Sequence, residues 1–197
     1  SAIDYAHSKG VIHRDIKPSN LILYEMEKVK VTDFGIAKLV DAEMTQSGTL
    51  LGTPSYMSPE VAAGQGDAAD ARSDVFALGV ILYEVLTGQR PFRGNTSLDV
   101  MTAVSTTSPL EPRKVASQVP RELSAICMKA LSREPSGRYA TAREFAGDLR
   151  DYRNFLPISA LAPTLRDRAV NWMRRHPQAT AAIAAGTARR AYLKGVS

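Results

Sequence analysis

The run from Asp70 to Thr87 constrains the fold of this chain most. Its VFALGVILYEVLTG segment is apolar almost continuously and closes at Gly88. A helix that is apolar all round has no face to give to water, so other elements must cover it on every side. The run therefore predicts a central core helix with further helices wrapped around it. The flanking sequence offers them: Ser97–Val104, Arg121–Leu131 and Thr141–Phe155 carry apolar residues at amphipathic helical spacing. The last two flank the turn SREPSGRY, and Ser58–Ala63 reads as a short turn of helix.

The N-terminal part reads differently. Residues 1–9 read as the end of a helix, with Gly10 as its C-cap. Val11–Asn20 is a polar loop holding Pro18. Leu21–Tyr24 and Lys28–Thr32 read as two short strands joined by the charged turn EMEK. Asp33–Pro59 is long and rich in Gly, Thr, Ser and Pro, and a stretch of that kind inside a compact domain is usually functional or mobile. The expected fold class is α+β, mainly α: a helical bundle with one short β-hairpin.

Composition adds limits. A chain of 197 residues fits one domain of ordinary size, or a domain and a tail. The formal net charge of +5 is uneven, because seven Lys or Arg and a single acid lie from Arg166 onward. Residues 1–165 carry a net charge of −1, so the basicity belongs to the tail. One cysteine, Cys127, excludes an internal disulfide and a Cys-rich zinc site; its helical apolar surroundings predict a buried core thiol. The three histidines have no metal-site spacing. The opening SAIDYAHSKG is not a signal peptide and looks cut from something longer. No apolar run reaches the ~20 residues that span a bilayer.

The chemistry concentrates in His13-Arg14-Asp15-Ile16-Lys17-Pro18-Ser19-Asn20 and, after an apolar strand, Asp33-Phe34-Gly35. Phosphoryl transfer needs a base to orient the attacking hydroxyl, a positive charge near the γ-phosphate and oxygen ligands for Mg²⁺. Asp15, Lys17, Asn20 and Asp33 are of those types. Mg²⁺ keeps phosphates and water among its ligands, so one carboxylate and one amide suffice.

With Ser58-Pro59-Glu60, Asp74 in SDVFALGVILYE and Arg138 in PSGRY, these motifs stand in the order and at the spacing of a known family. Over residues 1–155 the chain resembles the large lobe of a eukaryotic-type (Hanks-type) serine/threonine protein kinase. Lys17 and GTPSYMSPE resemble the Ser/Thr rather than the Tyr class, and the compact loops and RPF segment resemble the bacterial branch.

The resemblance implies ATP and Mg²⁺ (or Mn²⁺) as cofactors and protein Ser/Thr hydroxyls as substrates. It implies that Asp15 accepts or orients the substrate proton, that Lys17 neutralises charge on the transferred phosphoryl, and that Asn20 and Asp33 hold the metal. Arg14 resembles the arginine that pairs with a phosphorylated activation loop, with Thr45, Ser47 and Thr49 as candidate acceptors. Thr53 resembles the threonine that bonds back to Asp15 and Lys17. Asp74 would cap the central helix and bond the backbone of the catalytic loop; Glu60 and Arg138 would form a buried ion pair. His13 and Phe34 read as packing residues. Ile22, Ile81 and Val85 read as plain core, and the resemblance adds that they would stack beneath the adenine.

The glycine-rich loop, strand lysine and helix glutamate of a whole kinase precede the HRD motif in the family, whereas twelve residues precede His13 here. Gly64-Gln65-Gly66-Asp67-Ala68-Ala69 follows a helix and reads as a flexible turn. The chain is thus expected to hold the large lobe without the small one, and to be inactive by itself. The alternative is a non-catalytic lobe fragment that binds a partner, or another kinase chain, through the helical face of 97–155. Residues 156–197 resemble the basic juxtamembrane stretch of bacterial receptor-like kinases, with a truncated Ala-rich apolar segment. That implies a cytoplasmic lobe, a parent protein anchored in the bacterial inner membrane, and an anionic membrane surface as partner of the tail. Nucleic acid is not expected, since the tail has no aromatic interleaving and no base-reading motif.

Overall fold

Each junction between elements is fixed by a local device. In the computed structural model, which describes residues 2–25, 28–34, 54–66, 69–162, 170 and 172–178, the chain opens with helix α1 (Ala2–Ser8). Gly10 follows at φ +73, a left-handed conformation open to glycine without Cβ strain, and turns the chain out of the helix. A loop ends in a 3₁₀ turn at Pro18–Asn20. Strands β1 (Leu21–Tyr24) and β2 (Lys28–Val31) then pair antiparallel, with Leu21 opposite Val31 and Tyr24 opposite Lys28. Beyond the ladder, the Thr32 N–H donates to the Asn20 carbonyl at 3.0 Å, which ties the strand's exit to the loop's end.

A 3₁₀ turn at Pro54–Tyr56 and helix α2 (Pro59–Ala62) lead to the central helix α3 (Ala71–Thr87). Asp70 caps α3 by accepting the Arg72 N–H at 2.7 Å, and Gly88 ends it at φ +69. Asp74, expected as the cap, lies inside the first turn instead. The first residue able to accept from the free N–H groups is Asp70, and this leaves the Asp74 carboxylate for another task.

Helices α4 (Ser97–Thr106), α5 (Pro112–Val115), α6 (Arg121–Ala130) and α7 (Ala142–Arg153) follow. Thr96 and Asp99 form a reciprocal capping box at the start of α4. The four-residue α5 was not legible in the sequence, being too short for a periodic pattern. Helices α3 and α6 approach closely where Gly79 faces Ala130: a Cβ at Gly79 would lie 2.8 Å from the Ala130 Cβ. Cys127 is buried beside that crossing, its Sγ 3.5 Å from the Gly79 carbonyl, and burial pushes its thiol pKa well up. Such a thiol is not a nucleophile at neutral pH.

Two of the expected core residues are not core. Ile22 is 50% exposed and Val85, on α3, is 77% exposed. The central helix is therefore not covered on all sides by the described residues: Val85 is left open, which hydropathy alone does not reveal.

The chain divides into two compact units, residues 1–147 and 148–197, with the division inside α7. In the second, residues 158–160 are fastened although they carry no helical or strand pattern. The buried Asp148 carboxylate accepts the Ser159 N–H at 2.7 Å, the Ser159 hydroxyl at 2.9 Å and the Ala160 N–H at 2.9 Å, and Ile158 is buried. Residues 172–175 are helical and exposed. The Ala-rich segment, 179–188, and residues 163–169 lie outside the described residues. Among those described, no helix is long and apolar enough to cross a membrane.

Candidate functional site

The site is built on one carboxylate. Asp74, almost fully buried, accepts the His13 N–H on Oδ2 and the Arg14 N–H on Oδ1, each at 2.9 Å. These bonds hold a strained turn, because Arg14 adopts φ +65. A left-handed non-glycine residue costs of order 1–3 kcal/mol and persists only where its surroundings overdetermine it. His13 is itself buried and pinned on both nitrogens. Its Nε2–H donates to the Thr32 carbonyl at 2.8 Å, and its Nδ1 accepts the Asp15 N–H at 3.3 Å. That pair of partners assigns the Nε2–H tautomer.

His13 thus bridges the two parts of the motif. Thr32 is held by His13 at its carbonyl and by Asn20 at its N–H, and the next residue is Asp33 at φ +61. The structure therefore brings Asp15, Lys17, Asn20 and Asp33 to one end of the hairpin. Lys17 Nζ sits 2.7 Å from Asp15 Oδ2, and Asn20 Nδ2 donates to the Asp15 carbonyl at 2.9 Å and to Oδ2 at 3.1 Å. The Asp15 side chain stays 44% exposed, so its carboxylate can meet a molecule from solution.

The oxygens left over suit a hard cation. With Nδ2 of Asn20 on two acceptors, Oδ1 takes, among the described residues, only a long contact from the Ser19 hydroxyl, 3.4 Å. Among the described residues, the exposed Asp33 carboxylate takes only a 3.5 Å contact from Thr32 Oγ1. One amide oxygen and one carboxylate fit Mg²⁺, which completes its shell with phosphate and water. Among the described residues no three of His, Cys, Asp and Glu form a metal cluster, so a softer-ligand metal has no matching site there.

Behind the loop stands a buried ion pair. Arg138 donates Nη1–H to Glu60 Oε1 at 2.9 Å and Nη2–H to Oε2 at 2.7 Å. Its remaining N–H groups reach the carbonyls of Ser132, Arg72 and Arg133, and its face lies over Phe76. Burial would raise the Glu60 pKa, but the Arg138 guanidinium and the Ser73 hydroxyl outweigh it and hold the carboxyl down at about 2.

Phe34, expected to be packed, has one side open: its ring lies 4.6 Å from the His13 ring yet remains 38% exposed. Ile81 is half-buried. Gly35, Thr45, Ser47, Thr49 and Thr53 lie outside the described residues. The sequence reading missed a cluster beside the segment before α2. The Tyr56 hydroxyl donates to Glu84 at 2.7 Å, and Arg90 reaches Glu84, the Ser55 hydroxyl and the Tyr56 ring. Burial, then the Glu84 carboxylate, raises the Tyr56 pKa. His7 was missed as well. Its Nε2 lies 2.7 Å from Asp74 Oδ2, and nothing in AIDYAHS marks it, since the bond spans 67 residues.

A comparison with protein families matches residues 1–147 to the protein kinase domain. The chain belongs to the protein kinase domain family. It is 41% identical over 171 residues to the probable serine/threonine-protein kinase PknB of Bifidobacterium longum, covering 85% of this chain and 24% of that protein. It is 41% identical over 162 residues to the serine/threonine-protein kinase PknB of Mycobacterium tuberculosis, covering 81% and 26%. With PknB of Mycolicibacterium smegmatis it shares 43% over 151 residues, covering 75% and 24%. The chain thus spans about a quarter of the length of the curated relatives it matches. The kinase family generally works on ATP with Mg²⁺, and the oxygen donors of Asn20 and Asp33 agree with that chemistry.

Proposed function

We propose that these residues are the catalytic lobe of a serine/threonine protein kinase, which transfers the γ-phosphoryl of ATP to Ser or Thr hydroxyls of proteins. The observation that carries the reading is the exposed Asp15 carboxylate with Lys17 Nζ and Asn20 Nδ2 on the same oxygen. Asp15 orients the acceptor hydroxyl and takes its proton as the oxygen bonds to phosphorus and the bond to the leaving phosphate breaks. An ordinary carboxylate is a weak base, which suffices when the transition state is loose and the proton leaves late. Lys17, beside it, offsets the charge of the transferred phosphoryl. Mg²⁺, held by Asn20 Oδ1 and Asp33, would neutralise charge on the phosphates. Arg14, Thr53 and the acceptors Thr45, Ser47 and Thr49 carry the regulatory part of the proposal.

The test is phosphoryl transfer from Mg·ATP to a generic Ser/Thr protein acceptor by the full product of the reading frame. Asp15→Asn is expected to lower the rate by ~10²–10⁴-fold. An unchanged rate in a folded variant would overturn the assignment. The isolated 197-residue chain, which contains no glycine-rich loop and strand lysine ahead of His13, is expected to transfer little phosphate by itself.

For residues 156–197 the proposal is attachment to the cytoplasmic face of a bacterial membrane. Trp172, Met173, Arg174 and Arg175 are all exposed, which gives an apolar and a cationic group on one short helical stretch. Flotation of the chain with liposomes is expected to require anionic lipid, and equal flotation with neutral lipid, or none, would sink the idea.

A further inference from the structure

We infer that Phe155, just past the end of α7, belongs to the surface by which the basic tail meets an anionic membrane, and that a stack with Arg174 joins it to that surface. Phe155 lies immediately ahead of residues 156–197, and its role rests on the membrane attachment proposed for them.

Two bonds close the last turn of α7. The Leu156 N–H donates to the Asp151 carbonyl at 2.8 Å, and the Phe155 N–H donates to the Tyr152 carbonyl at 3.1 Å. This pairing needs a left-handed residue after the helix, and Phe155 fills the place at φ +56. Glycine is the usual occupant, because a side chain is strained there. A strained residue persists where its surroundings or its use demand it. Core packing does not demand this one, since Phe155 is 38% exposed.

The tail supplies a partner for the ring. The Arg174 guanidinium lies over Phe155, 5.4 Å from the ring centroid, which is within the reach of a cation–π attraction. Arg174 is itself exposed, so the stack faces solvent. It brings the helical stretch 172–175 to the end of α7, and the Asp148 carboxylate fastens residues 159 and 160 of the intervening chain. Leu156 is exposed beside Phe155 in sequence, as Trp172, Met173 and Arg175 are beside Arg174. The stack thus joins two short apolar pieces and two cations. That combination fits a lipid interface, where apolar groups enter the acyl boundary and guanidinium groups pair with headgroup phosphate. The charge of the tail selects an anionic surface, with seven basic residues and a single acid from Arg166 onward.

The test uses the one tryptophan of the chain, Trp172, as its probe in the full 197-residue protein. Phe155→Gly removes the ring and relieves the backbone, so it does not endanger the fold. Arg174→Lys keeps the charge and gives up the flat stacking face. In solution both variants are expected to lower the fluorescence anisotropy of Trp172, because its stretch is no longer held at the end of α7. On vesicles of phosphatidylglycerol and phosphatidylcholine, Phe155→Gly is expected to bind ~5–20-fold more weakly than the parent, with Arg174→Lys between the two. Equal or tighter binding by Phe155→Gly, beside a parent that binds, would overturn the role of Phe155 and leave the membrane attachment standing. Unchanged anisotropy in both variants would overturn it too, since the stack would then hold nothing. A parent that binds no vesicle, or binds pure phosphatidylcholine as well, would instead remove the attachment itself and the role of Phe155 with it.

Discussion

The pairs Glu60–Arg138 and Asp15–Lys17 have the same length, 2.7 Å, and opposite uses. The Arg138 side chain is fully buried, and every N–H of its guanidinium has an acceptor. The Asp15 side chain is open to solvent and that of Lys17 is half-buried, and the carboxylate oxygen they share also takes the Asn20 amide. Burial makes the first pair a frame: neither charge can leave without stranding the other in a dry place. Exposure makes the second pair available: each charge can trade its partner for a substrate at little cost, since an exposed ion pair contributes about 0–1 kcal/mol. Ion-pair geometry alone does not tell a structural charge from a chemical one, whereas access to water does.

The comparison can be broken most easily at the frame. Arg138→Leu is expected to lower the free energy of unfolding by about 3–5 kcal/mol, as a urea melt would read, because Glu60 remains buried without its cation. A loss below about 1 kcal/mol would make the pair no different from a surface one.

A sharper version uses pH. The folded Glu60 carboxyl titrates at about 2 against an ordinary 4.5. Its contribution to stability is therefore fully present above pH 4.5 and is lost as the pH falls from 4.5 towards 2. At about 1.36 kcal/mol per pH unit this amounts to about 3 kcal/mol. Glu60→Gln is expected to flatten the stability profile across that window, and an unchanged slope would place the carboxyl outside the frame. At the exposed pair the expected effect is smallest. Asp15→Asn should leave the free energy of unfolding within about 0.5 kcal/mol of the parent, in contrast to the loss of rate expected of it under the proposed function.

Much of the fold is legible in the residues because local rules and global packing agree there. Asp70 and Gly88 bound the central helix, Gly10 ends the first, and the hairpin strands differ from their expected bounds by a single residue. Residues 13–20 and Asp33 are legible for another reason: the phosphoryl transfer proposed for them needs particular residue types at particular spacings. What failed depended on neighbours distant in sequence. Val85 has the same hydropathy whether or not something covers it, so only the packing exposes it. Asp74 looks like a cap because it stands at the start of a helical run, but Asp70 takes that place. Residues 158–160 carry no periodic pattern, and a buried carboxylate eleven residues away fastens them.

By itself, the sequence determined the helical class, the family and the residue types at 13–20 and 33, because periodicity and spacing are properties of the chain. Only the tertiary structure decided the two-pronged geometry by which Arg138 holds Glu60, and that Asp74 serves the loop without also capping the helix. It also decided that His7 stands behind Asp74. Those facts concern contacts across 60 to 80 residues of chain, and a contact at that separation is set by how the elements pack, not by the residues next to it.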